Sequence, residues 1–194
     1  MTPEPLACAL VVIVAFSGAG ILHVLWLRSP LSAPLAVPVD GGLRWRGRRL
    51  FGSHKTLRGF AALVPAAGAA FATLGATREV LPPWLAAGLW PLPPAELFLV
   101  GAWAGFWFMA GELPNSFLKR RWGLEPGEVP PAGAKRVVCL ALDRVDSILA
   151  MLAALALAAP LAWQTWFYVL VLGSGVHLFF SALLCLVRVK RRFA

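Results

Sequence analysis

The sequence predicts an all-α integral membrane protein of about five transmembrane helices, with the N-terminus outside and the C-terminus cytoplasmic. Three observations predict it. The 194-residue chain is 59% hydrophobic and only 14% charged, with a mean hydropathy of +0.74, whereas soluble domains are about 45–50% apolar and about 25% charged. Five runs approach the roughly 20 apolar residues that cross about 30 Å of hydrocarbon at about 1.5 Å per residue. Finally, the 18 Lys and Arg outnumber the 9 Asp and Glu, for a net charge of +9, and they are gathered in alternate connections. This composition excludes an ordinary soluble globule and a disordered chain. Cys8, Cys139 and Cys185 stand singly in apolar runs, with neither zinc spacing nor a disulfide framework.

The first run, 6–27, closes on the interfacial residues Trp26 and Arg28. No cation precedes it, so it lacks the n-region of a signal peptide and is read as a retained helix. The second, 57–76, is rich in Gly and Ala, suited to close helix packing. The third, 95 to about 115, carries Trp103, Phe106, Trp107 and Phe108; the fourth is 137–159 and the fifth 163–187. The Pro-rich stretch 81–94 cannot span and is expected at an interface. Seven cations lie between runs one and two, five between three and four, and four in the C-terminal tail, so sixteen of eighteen share one side. The positive-inside rule then requires an odd number of spans.

Polar residues interrupt this pattern in three places. Run four contains Asp143, Arg144 and Asp146, and residues 147–159 alone are only 13 long, about 20 Å and too short to span. The helix must therefore start upstream and carry these charges inside, where each costs about 2.5–3.5 kcal/mol near the bilayer centre. Asp143 and Asp146, three apart, share a helix face, as two carboxylates meeting on a divalent cation require. The alternative is structural, with Arg144 paired internally to Glu112 or to an Asp. At the end of run three, Glu112, Asn115, Ser116 and Lys119 fall on one helical stripe that could hold a polar ligand. Lys119, Arg120 and Arg121 also read as a plain cytoplasmic anchor. In the first basic connection, Gly47, Gly52, Lys55 and Thr56 have the wrong spacing for a P-loop, and no preceding strand is expected. Lys55, Thr56 and Arg58 could still bind phosphate where the second helix begins. His23 and His54 are read as packing or surface residues, and His177 as a helix-to-helix hydrogen bond.

Taken together, Ser116-Phe-Leu-Lys-Arg120, the loop with Pro126-Gly127 and Asp143-Arg-Val-Asp146 resemble the signature of the CDP-diacylglycerol synthases. The short chain and the block from Gly47 to Gly59 are more similar to the CDP-archaeol synthase branch. This chain has Gly111-Glu112 where these families often have Gly-Asp. The resemblance implies a single cytidylyltransferase-like domain over 1–194, in a multi-pass protein of the cytoplasmic membrane. It would transfer the cytidylyl group of CTP to a membrane lipid phosphate, ether- or ester-linked, releasing pyrophosphate. It implies catalytic Asp143, Asp146 and Lys119, with Mg²⁺ held by Asp143, Asp146 and Glu112. Lys55, Thr56, Arg58, Asn115, Ser116, Arg120 and Arg144 would bind CTP and the lipid phosphate. The expected partners are these substrates and the bilayer, with no nucleic acid and with room for a homodimer. Two other classes stand beside this reading: a small transporter or channel subunit with the acidic pair in its ion path, and a non-catalytic lipid-binding protein.

Overall fold

The computed structural model describes residues 2–126, 128, 130 and 132–176. Helix α1 covers Pro5–Arg28, α2 Leu57–Ala76, α4 Pro94–Arg121 and α5 Ala134–Ala158; α3 is a single turn, Pro83–Ala86. Chain direction alternates, so the start of α2, the end of α4 and the start of α5 meet at one end, here called the basic end. Helix α6, Trp163–Tyr168, continues through a π-helical stretch, Val169–Gly173. Among the described residues three helices, α1, α2 and α4, are long and apolar enough to cross a membrane. Helix α5 has the length, but its charges lie inside it. Of the fifth expected span, residues 177–187 lie outside the described residues, as do His177, Cys185 and the basic tail.

Large apolar side chains face outward along the helices, among them Leu22, Leu25, Leu99 and Leu157, as lipid-facing surfaces require. The interior is a cluster including Phe71, Trp90, Leu97, Met151, Leu152 and Leu155. Lipid tails are as apolar as these side chains, so helix association depends on close backbone approach. Gly101 and Gly105 of α4 provide it: a Cβ would come 2.6 Å from the Ala67 carbonyl at the first and 3.1 Å from the Leu63 carbonyl at the second. The Gly101-x-x-x-Gly105 pair thus seats α4 on the small-residue face of α2. Gly111 does the same between α4 and α5, where a Cβ would sit 2.9 Å from the Asp146 carbonyl.

Helix α4 continues past the membrane run through Pro114 to Arg121, so Glu112, Asn115, Ser116 and Lys119 do share one continuous helix. One detail departs from the sequence reading. The connection between α1 and α2 does contain strands, β1 (Arg44–Trp45) and β2 (Arg48–Arg49), paired antiparallel. Arg46 and Gly47 both have positive φ (51° and 79°), the two-residue I′ geometry that matches the twist of a hairpin. This small ribbon packs on the end of α4: the Arg121 guanidinium donates to the Arg49 carbonyl at 2.8 Å, and Arg48 donates back to the Arg121 carbonyl at 2.9 Å. Trp45 stacks on Phe117 at 5.6 Å. The Pro-rich stretch folds over the opposite end, where Trp90 is buried and its Nε1 donates to the Pro160 carbonyl at 2.7 Å.

Candidate active site

At the basic end, α4 and α5 turn their polar faces towards each other, because Gly111 lets the helices approach one turn away. Asn115 Nδ2 donates to Asp143 Oδ1 at 2.6 Å and to Asp146 Oδ2 at 2.9 Å. The two carboxylates therefore converge on one amide. Lys119, one turn further along α4, donates to both Asp143 oxygens at 2.5 and 2.6 Å. Ser147 donates from its backbone N–H to Asp146 Oδ1 at 2.7 Å and from Oγ to Glu112 Oε1 at 3.2 Å. Glu112 is also ion-paired to Lys55, just before α2. The result is one chain of contacts, Lys55–Glu112–Ser147–Asp146–Asn115–Asp143–Lys119, crossing three elements. Half-buried charges are tolerated there because each is paired or hydrogen-bonded.

The structural alternative for Arg144 is corrected by these contacts. The partners of Glu112 and Asp143 are Lys55 and Lys119. Arg144 is half-buried and, among the described residues, makes no ion pair. Ser116 is likewise half-buried and joined to the network by no hydrogen bond. Thr56 precedes α2 without a side-chain capping bond.

Arg120 lies apart from the network, under the hairpin connection. Its Nη1 is 3.3 Å from where a Cβ on Gly52 would stand. It is 7% exposed, and among the described residues its Nε and Nη1 have no hydrogen-bond partner. A buried guanidinium with uncommitted donors is a group suited to an anion. The hairpin connection is organised by Asp40, which accepts from Arg49 at 2.6 Å, Gly42 at 3.0 Å and the N–H groups of Phe51 and Gly52 at 3.2 Å each. Burial by itself would raise its pKa. The Arg49 bond and the three backbone N–H groups outweigh this and lower the pKa to about 2.

Beside the network lies a cavity of about 510 Å³ between α1, α2, α4, α5 and the segment after α6. Its depth is apolar, with Val12, Leu63, Ile148 and Met151. Its mouth is polar, with His23, His54, Lys55, Thr56, Arg58 and Glu112. The three second-helix candidates, Lys55, Thr56 and Arg58, are thus brought together with Glu112, on the cavity side of the network. Sequence reasoning missed Ser147, which bridges Glu112 to Asp146, and His23. Ser147 stood next to the acidic pair, but its Oγ gains significance only from the approach of α4. For His23 the only signal was an imidazole within a span.

A metal was expected on Asp143, Asp146 and Glu112. Among the described residues, no three His, Cys, Asp or Glu side chains form a metal cage, and Glu112 reaches the pair only through Ser147. The convergent carboxylates of Asp143 and Asp146 are nevertheless an all-oxygen donor pair. They fit Mg²⁺, which commonly takes one or two protein carboxylates and completes its shell with waters and substrate phosphates.

The described helices thus form a bundle with a charged site at one end and a cavity of apolar depth beside it. The fold is similar to that of a solved intramembrane enzyme for archaeal membrane lipid biosynthesis, with a TM-score of 0.60 and 25% identity over 90% of this chain and 92% of that one. Among curated proteins the chain is similar to CDP-archaeol synthases: 39% identical to that of Halobacterium salinarum over 127 residues, 65% of this chain and 62% of the relative. It is 37% identical to that of Halorubrum lacusprofundi over 60% of this chain and 58% of the relative, and 35% identical to that of Pyrococcus furiosus over 51% and 54%. The matched region is less than two thirds of the length of these relatives. No family model matches the chain.

Proposed function

We propose that this protein is a CTP-dependent cytidylyltransferase that converts a membrane lipid phosphate to a CDP-lipid. The observation that carries the proposal is the contact chain from Lys55 to Lys119, in which three carboxylates are joined through Ser147 and Asn115 and flanked by a lysine at each end, beside a cavity with an apolar depth and a polar, largely cationic mouth. The similarity to CDP-archaeol synthases supports it. A transporter is less well supported, because the polar groups collect at one end while the interior beyond them is apolar.

The reaction joins two anions. An oxygen of the lipid phosphate forms a bond to the α-phosphorus of CTP, the bond from that phosphorus to the bridging oxygen breaks, and pyrophosphate leaves with the electron pair. The attacking phosphate is already ionised, so no strong base is needed; repulsion and alignment are the barriers. Lys119 and Arg120 neutralise the nucleotide phosphates, and Lys55, Thr56 and Arg58 receive the lipid phosphate at the cavity mouth. Asn115 keeps Asp143 and Asp146 together, and Ser116 and Arg144 border the nucleotide. Asp143 and Asp146, with Glu112 behind Ser147, would hold Mg²⁺, which supplies charge neutralisation to the triphosphate and to the leaving pyrophosphate.

The same reading makes the protein a single domain of five spans in the cell membrane, with the basic end cytoplasmic where CTP is available, and it allows a homodimer. The test is to incubate purified protein with labelled CTP, Mg²⁺ and a panel of ether- and ester-linked lipid phosphates. Label should pass into the lipid fraction only when the divalent cation and a lipid phosphate are both present. Absence of CDP-lipid from every member of the panel would overturn the proposal.

A further inference from the structure

We infer that His23 is a binding residue for the acceptor, donating a hydrogen bond from Nε2 to an oxygen of the phosphoglycerol head of the lipid; the inference rests on the cytidylyl-transfer reading. His23 lines the cavity where its polar mouth gives way to its apolar depth. Its Nε2 is buried and, among the described residues, has no hydrogen-bond partner. The turn that carries it is fixed: Trp26, three residues on, donates from Nε1 to the Arg58 carbonyl at 3.1 Å, tying α1 to the first turn of α2. Gly59 in that turn brings α2 close against the imidazole: a Cβ there would lie 3.7 Å from Nε2 and 2.7 Å from Met109 Cε.

An imidazole is a poor packing residue in such a wall. An apolar side chain would fill the space without leaving a polar atom buried and unsatisfied. Of the polar groups at the mouth, Lys55 and Glu112 are paired with each other, whereas His23 Nε2 has no partner among the described residues. A ligand that crosses the junction must be polar at one end and apolar at the other. A lipid phosphate has this form. CTP does not, since it brings nothing to fill the depth beyond His23.

The test uses the full-length protein in detergent micelles with phosphatidic acid and an ether-linked analogue, comparing wild type with His23→Phe and His23→Gln. In His23→Phe the KM for lipid should rise about tenfold or more, the value of one hydrogen bond to a charged group, while kcat and the KM for CTP stay within about twofold. His23→Gln, which restores an N–H donor, should recover most of the loss. Binding without CTP, read by quenching of tryptophan fluorescence with a brominated phosphatidic acid, should weaken in the same order. Unchanged lipid KM and binding in His23→Phe would overturn the inference, as would equal losses of kcat, CTP affinity and lipid affinity in both variants. If the wild type makes no CDP-lipid yet binds the brominated lipid in a His23-dependent way, the reaction reading fails and the binding role stands.

Discussion

Asn115 spends both hydrogens of one amide nitrogen on two carboxylates from the next helix, and this small arrangement sets what each residue can do. Asp143 is held by Asn115 and Lys119, Asp146 by Asn115 and the Ser147 N–H, so the two acids are fixed side by side. Replacing Asp143 or Asp146 with Asn keeps the shape but removes one of the two carboxylate charges proposed to hold Mg²⁺ against the triphosphate. Each substitution should lower kcat by at least about a hundredfold, in the range that loss of one electrostatic stabiliser costs, while the protein remains in the membrane fraction with unchanged detergent-solubilised size. Near wild-type turnover in either variant would remove the pair from the reaction. The spacing of Asp143 and Asp146 on one face was readable from the sequence, because a separation of three residues fixes their relative direction on any helix. Their partners were not. Arg144 was an equally good candidate by proximity in the chain, and only the rotation of α5 against α4 turned Lys119 to Asp143 and left Arg144 without an ion pair among the described residues.

At the scale of elements, the site depends on two docking events. One is the approach of α4 and α5 at Gly111, which brings the acidic face of α5 within hydrogen-bond reach of Asn115. The other is the seating of the β1–β2 ribbon on the last turn of α4, through Arg48, Arg121 and the Trp45–Phe117 stack. Asp40 holds that connection together, and its depressed pKa gives the sign of its pH dependence. A carboxyl whose folded pKa is below its unfolded value stabilises fully above the ordinary value near 4, and the contribution is lost as pH falls through about 2. The protection of the Phe51 and Gly52 amides against hydrogen exchange should therefore persist at pH 5 and decline between about pH 4 and 2. At neutral pH, Asp40→Asn should expose Arg44, Arg46 and Arg48 to trypsin several-fold faster than in the wild type; equal cleavage would show that the hairpin is held by other contacts. The helices themselves were legible within a few residues, since a long apolar run has few other choices. The hairpin was not, because a two-residue ribbon has no periodicity and its turn rests on a positive φ at Arg46, a residue with no intrinsic preference for it.

For the whole molecule, the alternation of chain direction and the gathering of cations at one end make a single testable statement about topology. In a cysteine-free background, Ser53→Cys in the hairpin connection and Val80→Cys at the opposite end should report opposite sides of the membrane. A membrane-impermeant maleimide should label Val80→Cys on intact cells and Ser53→Cys only after permeabilisation. The reverse pattern would invert the proposed orientation and move the site away from cytoplasmic CTP.

What the sequence determined by itself was the solvent of each segment: which runs belong in lipid, which end collects the charge, and which few polar residues stand at a depth where they are costly. These are properties of composition along one dimension, set by transfer free energies that each residue carries wherever it folds. Tertiary structure alone decided which charges meet. The pairing of Lys55 with Glu112 and Lys119 with Asp143, the bridging role of Ser147 and the cavity that isolates His23 all follow from helix rotation and from interhelical distances set at Gly101, Gly105 and Gly111. Close packing between helices depends on the shapes of both faces at once, and that information is not local in the chain.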